Sequence, residues 1–167
     1  MADYDLTSLE RLTNTFCNQY KKVLVDDGKV ATGTLVNSIH GAVRLNGVYL
    51  EVSIFADETW KYVEYGRKPG RRPPMDEILS WIQVKGLPRS GSLQRTYNGK
   101  LPTEKQLAFL IARKIGNEGI PAGNYLGNLI ESTHFYDNVK KTMAKMISDN
   151  FEKQIKEEIS TTQEVNI

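Results

Sequence analysis

The 167-residue chain has few of the side chains that most often carry out catalysis or bind metals. It has one cysteine, Cys17, and two histidines, His40 and His134, which are far apart in the sequence. A lone cysteine excludes a disulfide within these residues, and its place in an amphipathic stretch favours a small buried side chain over a catalytic thiol. The histidines have no cysteine pair and no HExxH spacing near them, so we expect no metal site and no cofactor.

The sequence motifs of common enzyme classes are also missing. No Gly-x-Ser-x-Gly nucleophile elbow is present, and Gly66–Gly70 lacks the Gly-Lys-Ser/Thr ending of a P-loop. Catalytic triads assemble from distant positions, so a small hydrolase stays open as an alternative and would need a pocket with convergent titratable groups. We expect a protein that is not an enzyme.

Neither charge nor hydrophobicity is extreme. The 22 basic and 20 acidic side chains give a formal net charge of +2, too little for a whole-molecule field that would attract nucleic acid or an anionic membrane. No run approaches the ~18 apolar residues that span a bilayer. Residues 1–10 lack the basic and apolar regions of a signal peptide. We therefore expect a protein that is used without export and outside membranes.

The apolar pattern predicts long helices at both ends of the chain. The first follows three- and four-residue steps from Leu6 to Leu24 and is expected to end at Asp26-Asp27-Gly28. The last is expected over residues 137–160, followed by a frayed tail at 161–167. Its apolar positions are Val139, Met143, Met146, Ile147, Phe151, Ile155 and Ile159.

Between the long helices the pattern predicts one hairpin and several short elements. Two strand-like runs within residues 42–55 flank Asn46-Gly47, the pair typical of a type I′ turn. In the second run Val48, Leu50, Val52 and Ile54 share one face, as in an antiparallel sheet that helices cover on one side. Further segments are expected as helices at 56–65, 74–85 and 105–118, as a helix or turn at 32–39, as a helix or strand at 125–132, and as a short strand at 92–97.

These elements predict a single α+β domain over residues 1–167, with a core at about 6–131 and a C-terminal helical extension. Trp60, Tyr62 and Trp81 fall at helical spacing, and we interpret them as packing anchors, because aromatic residues in such patterns are most often core or interface residues.

The one local charge feature is a proline-stiffened loop with four cations, Arg67, Lys68, Arg71 and Arg72, called the basic loop (67–72) below. An exposed loop of this kind could contact acidic side chains of a partner, or DNA that passes through a channel. A small nucleic-acid-binding protein that uses this loop is the alternative function, although no reader fold is recognisable in the sequence.

Two blocks of the sequence resemble a known family. Residues 60–66 (Trp-Lys-Tyr-Val-Glu-Tyr-Gly), followed by the basic loop and by residues 73–82 with their Trp-Ile pair, are similar to the core of phage tail-completion and head–tail joining proteins. Residues 107–122, which end in Gly-Ile-Pro-Ala, are similar to the helix and turn that follow in the same proteins. Together with the N-terminal helix and hairpin, the resemblance covers roughly Leu6 to Glu131.

The resemblance implies a structural virion protein, assembled in the bacterial cytoplasm, that forms a ring in the phage neck and joins the portal and head to the tail around the DNA channel. The implied partners are further copies of the same chain, the portal or adaptor, other neck and tail proteins, and packaged DNA through non-specific contacts. Closed rings use heterologous contacts between identical subunits. For such contacts the C-terminal helix is the first candidate, through Met143, Met146, Ile147, Phe151 and Ile155, and the basic loop is the second.

Overall fold

The computed structural model describes residues 4–46, 49–87 and 102–165, and the side chains of these up to residue 160. In the described ranges the chain forms seven helices and one two-stranded antiparallel sheet, so the predicted α+β class with long N- and C-terminal helices is confirmed. The predicted strand at 92–97 lies outside the described residues. The elements are α1 (Thr7–Asp26), α2 (Thr34–Ser38), β1 (His40–Asn46), β2 (Tyr49–Phe55), α3 (Trp60–Tyr65), α4 (Met75–Lys85), α5 (Glu104–Glu118), α6 (Tyr125–Ser132) and α7 (Phe135–Val165).

The hairpin forms where the sequence predicts it, with a different register at its end. Asn46 pairs with Tyr49, whereas a turn at Asn46-Gly47 predicts that Leu45 pairs with Val48, which lies outside the described residues. This register differs by two residues from the predicted pairing and therefore leaves every side chain on its predicted face. It sets Val43 opposite Val52 and Arg44 opposite Glu51, a β-branched pair and an oppositely charged pair that both stabilise a ladder.

The helix ends show the local signals that the sequence contains. The Thr7 backbone N–H donates to Asp5 Oδ1 at 3.0 Å. α5 begins with a capping box, in which Thr103 Oγ1 accepts from the Gln106 N–H and the Gln106 side chain accepts from the Thr103 N–H. Gly86 adopts the left-handed conformation that ends α4.

The described backbone divides into two compact units. Unit 1 comprises Met1–Lys22, Ile39–Phe55 and Leu126–Ile167, and unit 2 comprises Val23–Ser38 and Ala56–Tyr125. The sequence-based expectation of one domain is not tested by this division and stays a prediction.

The core of unit 1 lies where the N-terminal helix, β1 and the start of the C-terminal helix meet. The rings of Phe16 and Phe135 are 4.1 Å apart, and both side chains are buried. A methyl group at Gly41 would overlap Thr13, so the absence of a side chain there lets β1 approach α1. Cys17 is buried in the same region, as predicted, and this burial raises the pKa of its thiol.

The core of unit 2 is built by α4 and α5. Ile82, Leu107 and Ala108 are its buried centre, and Ile78, Leu79, Leu87 and Ile111 pack against them. The buried face of α5 consists of Leu107, Ala108, Ala112 and Gly116, whereas Leu110 is exposed. The small residues of this face recur every four positions and form the side of the helix that other segments approach most closely.

α7 is longer than the sequence predicts. It begins at Phe135 and continues to Val165, past residue 160, where the frayed tail was expected to follow. Lys153 with Glu157, and Lys156 with Glu152, form exposed ion pairs one turn apart on this segment. Such i,i+4 pairs each add a few tenths of a kcal/mol to a solvated helix, about 0.3–0.5 kcal/mol.

Candidate assembly surfaces

The basic loop is held against a second part of unit 2. Arg67 and Ile120 exchange two backbone hydrogen bonds of 2.8 Å each, and the Gly70 N–H donates to the Gly116 carbonyl at 2.8 Å. The Gly123 N–H donates to the Val63 carbonyl at 3.0 Å. Backbone hydrogen bonds thus fix the path of the loop between α3 and α4.

Glycine is required at this contact for two reasons. Gly66 and Gly119 have φ of 66° and 76° with ψ near −160°, a region that other residues rarely adopt. A methyl group at Gly119 would also overlap the Arg67 carbonyl oxygen, and one at Gly66 would overlap the Ile120 carbonyl oxygen. The two sequence blocks of the family resemblance therefore meet at one tight backbone contact.

The four cations of the basic loop do not share one environment. The Arg67 side chain is half-buried, and its Nη2 donates to the Arg71 carbonyl at 2.6 Å. The Arg72 guanidinium lies over the Phe109 ring, 5.5 Å from its centre, and its Cγ lies against Gly116. Lys68, Arg71 and Arg72 are exposed. Three of the four cations thus reach the surface of unit 2, and the side chains of Arg67 and Arg72 also make contacts within it.

A groove of about 490 Å³ lies beside this loop, within unit 2. We call it the aromatic groove, and its lining includes Tyr62, Arg67, Glu77, Trp81, Ile111, Ile115 and Ile120. Tyr62 is 58% exposed and Trp81 is 38% exposed, while Trp60 is half-buried. The role of packing anchor stays a prediction for these residues, and within one chain Tyr62 and Trp81 present much of their surface to solvent.

The C-terminal helix carries the largest run of exposed apolar side chains in unit 1. All side chains from 151 to 160 are exposed, including Phe151 at 59%. We call the row Ile147, Phe151, Ile155 and Ile159 the distal ridge. Of the predicted interface residues, Met143 and Met146 are half-buried, whereas Ile147, Phe151 and Ile155 are exposed and belong to this ridge.

A second groove in unit 1, of about 520 Å³, is polar. It lies between the start of α1 and the middle of α7, and its lining carries both Lys141 and Lys145 and the acids Asp5 and Asp149. Among residues 4–46, 49–87 and 102–165, no group of three or more His, Cys, Asp or Glu residues could hold a metal ion.

The two histidines take separate structural positions. His40 stacks on Phe55 across the hairpin with ring centres 5.1 Å apart. His134 lies in the turn between α6 and α7 with a φ of 49°. Both histidines therefore belong to unit 1, His40 in strand β1 and His134 in a turn.

A polar cluster in unit 2 ties the end of α1 to the start of α6. The Tyr125 hydroxyl donates to Asp27 Oδ2, and Lys29 lies 3.6 Å from the same carboxylate and over the Tyr125 ring. The hydrogen bond from Tyr125 lowers the pKa of Asp27 below its ordinary value of 3.8. The same bond raises the pKa of Tyr125 above 10.0.

Two features of this region were not found by sequence reasoning. One is that Glu64 is buried, with 4% of its surface exposed. The close-packed face of α5 was also missed, because apolar size was weighted over the regular spacing of Ala108, Ala112 and Gly116. Small residues every four positions are a signal that could have revealed it.

No protein-family model, curated protein or solved structure matches this chain. Within the described residues, no helix is long and apolar enough to cross a membrane.

Proposed function

We propose that this chain is a ring-forming structural subunit of the neck of a tailed bacteriophage, where identical copies join the head to the tail around the DNA channel. The single observation that carries the proposal is the distal ridge, an apolar row on a helix segment whose side chains are all exposed. A helix that is solvated on every side has no intramolecular reason to carry such a row, and exposed apolar patches mark sites of association.

The resemblance to head–tail joining proteins is the reason for proposing the phage neck as the place of assembly. Arg67 and Ile120, which form a backbone bridge, lie in the two blocks that carry the resemblance, so these blocks hold each other's backbone in position. A motif made of glycines at a close backbone approach suits a scaffold protein whose function is geometric.

The chain also presents two different surfaces for assembly. The aromatic groove is concave and belongs to unit 2, and the distal ridge is convex and belongs to unit 1. Contacts between unlike surfaces are heterologous, and they build rings when the rotation between subunits closes. This is the arrangement that a neck ring requires.

The alternative is a small nucleic-acid-binding protein that uses the basic loop. The exposure of Lys68 and Arg71 favours a contact with phosphates over one that reads bases. This alternative predicts that the isolated protein binds short DNA duplexes with an affinity that falls steeply as salt rises.

The composition of purified phage particles tests the proposal. We expect the chain to be present in particles made from the genome that encodes it, at a small and fixed number of copies. Absence from particles, together with salt-dependent binding to short duplexes, would favour the nucleic-acid alternative instead.

A further inference from the structure

The distal ridge has the geometry of a helix that inserts into a groove. Its four side chains recur every fourth residue, so they form a continuous row along the i±4n direction of the helix. At 1.5 Å per residue the row from Ile147 to Ile159 is roughly 18 Å long. Helix-in-groove recognition uses apolar anchors at such spacings.

The charges beside the ridge are acidic. On a helix of 3.6 residues per turn, Glu158 lies about 20° from Phe151 around the axis, and Glu152 lies about 20° beyond Ile159. Lys156 forms an ion pair with Glu152 from the side away from the ridge. Lys153 lies on the opposite side of the helix from Phe151. Within residues 147–160 the charged side chains nearest the row are therefore Glu158 and Glu152, and Lys145 lies about 20° beyond Glu152 just before the row begins.

One cation and one anion line the aromatic groove, and the loop beside it carries further cations. Arg67 lines the groove, and Lys68, Arg71 and Arg72 belong to the same loop. Glu77 is the acid among the lining residues. The groove thus offers aromatic and branched apolar side chains next to guanidinium and ammonium groups, which complement the apolar and acidic character of the ridge.

We propose that the distal ridge of α7 from one copy of this chain docks in the aromatic groove of the next copy. Phe151 and Ile155 pack against Tyr62 and Trp81, and Glu158 and Glu152 lie near the basic loop. This inference rests on the proposed function, since it assigns the subunit contact of the ring. It commits to a second copy as the occupant because both complementary surfaces belong to one chain.

The contact is tested with two variants that each remove one side of it. Phe151→Lys replaces an apolar side chain of the ridge with a cation that would face the basic loop of the next copy. Tyr62→Lys replaces an aromatic side chain of the groove with a charged one at the position where Phe151 would pack. Both positions are exposed, and circular dichroism checks that each variant keeps its helical content. Light scattering and sedimentation measure the size of the wild type, of each variant and of their equimolar mixture.

A heterologous contact gives a specific pattern. The wild type forms oligomers, each variant alone is monomeric, and the mixture forms a one-to-one heterodimer that grows no further, because it holds one intact ridge and one intact groove. If α7 helices of two copies instead contact each other across a two-fold axis, a different pattern is expected. Tyr62→Lys then assembles like the wild type, and mixing it with Phe151→Lys does not restore assembly of Phe151→Lys. That result would overturn the proposal.

Matched controls use added lysines outside the contact. Ser160→Lys changes an exposed residue on the side of α7 opposite Phe151, and Tyr65→Lys changes an exposed tyrosine of α3 that does not line the groove. Both controls are expected to assemble as the wild type does. A wild type that stays monomeric at millimolar concentration would also contradict the inference.

The docking contact and the neck assignment fail in different ways. If particles contain the chain but both variants assemble normally, the contact is wrong and the neck function stands. If the mixture gives the heterodimer but particles lack the chain, the contact stands and the neck function is wrong.

Discussion

At the scale of single residues, the tightest constraint is the approach of two backbone segments at Gly66 and Gly119. Each glycine combines a positive φ with a position where a methyl group would overlap a carbonyl oxygen. Glycine at these positions is therefore a condition for forming the Arg67–Ile120 bridge, which in turn places the basic loop beside the aromatic groove.

The first prediction concerns Gly119→Ala. Strain at a conformation of this kind costs of order 1–3 kcal/mol, and the overlap with the Arg67 carbonyl adds to it. We expect a loss of stability clearly greater than that of Gly28→Ala, which also has a positive φ but has nothing within 4 Å of the added methyl group. Urea denaturation of the three proteins measures the difference. Equal losses in the two variants would show that the close approach does not exist.

The second prediction concerns the hydrogen bond between Tyr125 and Asp27. The folded-state pKa of Asp27 is lowered, so its contribution to stability is present above about 3.8 and is lost as pH falls through the folded-state value. The folded-state pKa of Tyr125 is raised, so its contribution is present below 10.0 and is lost as pH rises through the folded-state value. Tyr125→Phe should therefore lower the Tm by a constant amount from about pH 5 to pH 9.

Below that window the Tm of the wild type and of Tyr125→Phe should converge, because protonated Asp27 no longer favours the hydrogen bond. Tyr136→Phe serves as the control, since Tyr136 is an exposed tyrosine of α7 outside this cluster. A Tm difference for Tyr125→Phe that is unchanged down to the acid limit of folding would contradict the assignment.

At the scale of elements, most helices and the hairpin follow from local sequence signals. The start of α5 could be predicted from Thr103-Glu104, and the end of α4 from Gly86, because caps are local chemistry. The exact register of the hairpin could not be predicted, since two registers that differ by two residues place the same side chains on the same face. The observed register is compatible with favourable cross-strand pairs such as Arg44 with Glu51.

The groove could be predicted only in part. The basic loop and the aromatic residues near it were identified from the sequence, but their convergence depends on hydrogen bonds between residues such as Arg67 and Ile120 that are distant in sequence. The buried face of α5 could not be predicted from apolar size, because Ala108, Ala112 and Gly116 carry little apolar signal. Their small side chains nevertheless permit close packing. Long-range approach of this kind is not encoded in hydrophobic periodicity alone.

The third prediction tests this small-residue face. Ala108 lies on α5, packs with Ile82 of α4 and is fully buried. Ala108→Leu therefore forces additional carbon atoms into a packed core. We expect a loss of about 1–3 kcal/mol in the free energy of unfolding. Arg113→Leu introduces the same side chain at an exposed position of α5 and should cost far less. Equal stability of the two variants would show that the α4–α5 face is loosely packed.

At the scale of the whole molecule, the chain has two packed units, and the last described turns of α7 in unit 1 are solvated. We propose that the distal ridge on that helix and the aromatic groove of unit 2 form the two sides of one contact that identical copies repeat around an axis. Under this proposal the function of the chain is the geometry of an assembly.

The basic loop is tested best with only two of its four cations replaced. The Arg67 side chain donates to the Arg71 carbonyl and the Arg72 guanidinium lies over the Phe109 ring, so their removal would disturb the loop itself. Lys68→Ser with Arg71→Ser is the cleaner variant, because both side chains are exposed and neither takes part in those two contacts. We expect this variant to fold normally and to weaken docking to a partner or retention of DNA.

The most direct measurement is the amount of this chain in purified tailed-phage particles, by quantitative mass spectrometry against the other structural proteins. We predict a small copy number that is constant between preparations and in fixed ratio to the portal protein. A chain that is abundant in infected cells but absent from particles would contradict the proposed neck function.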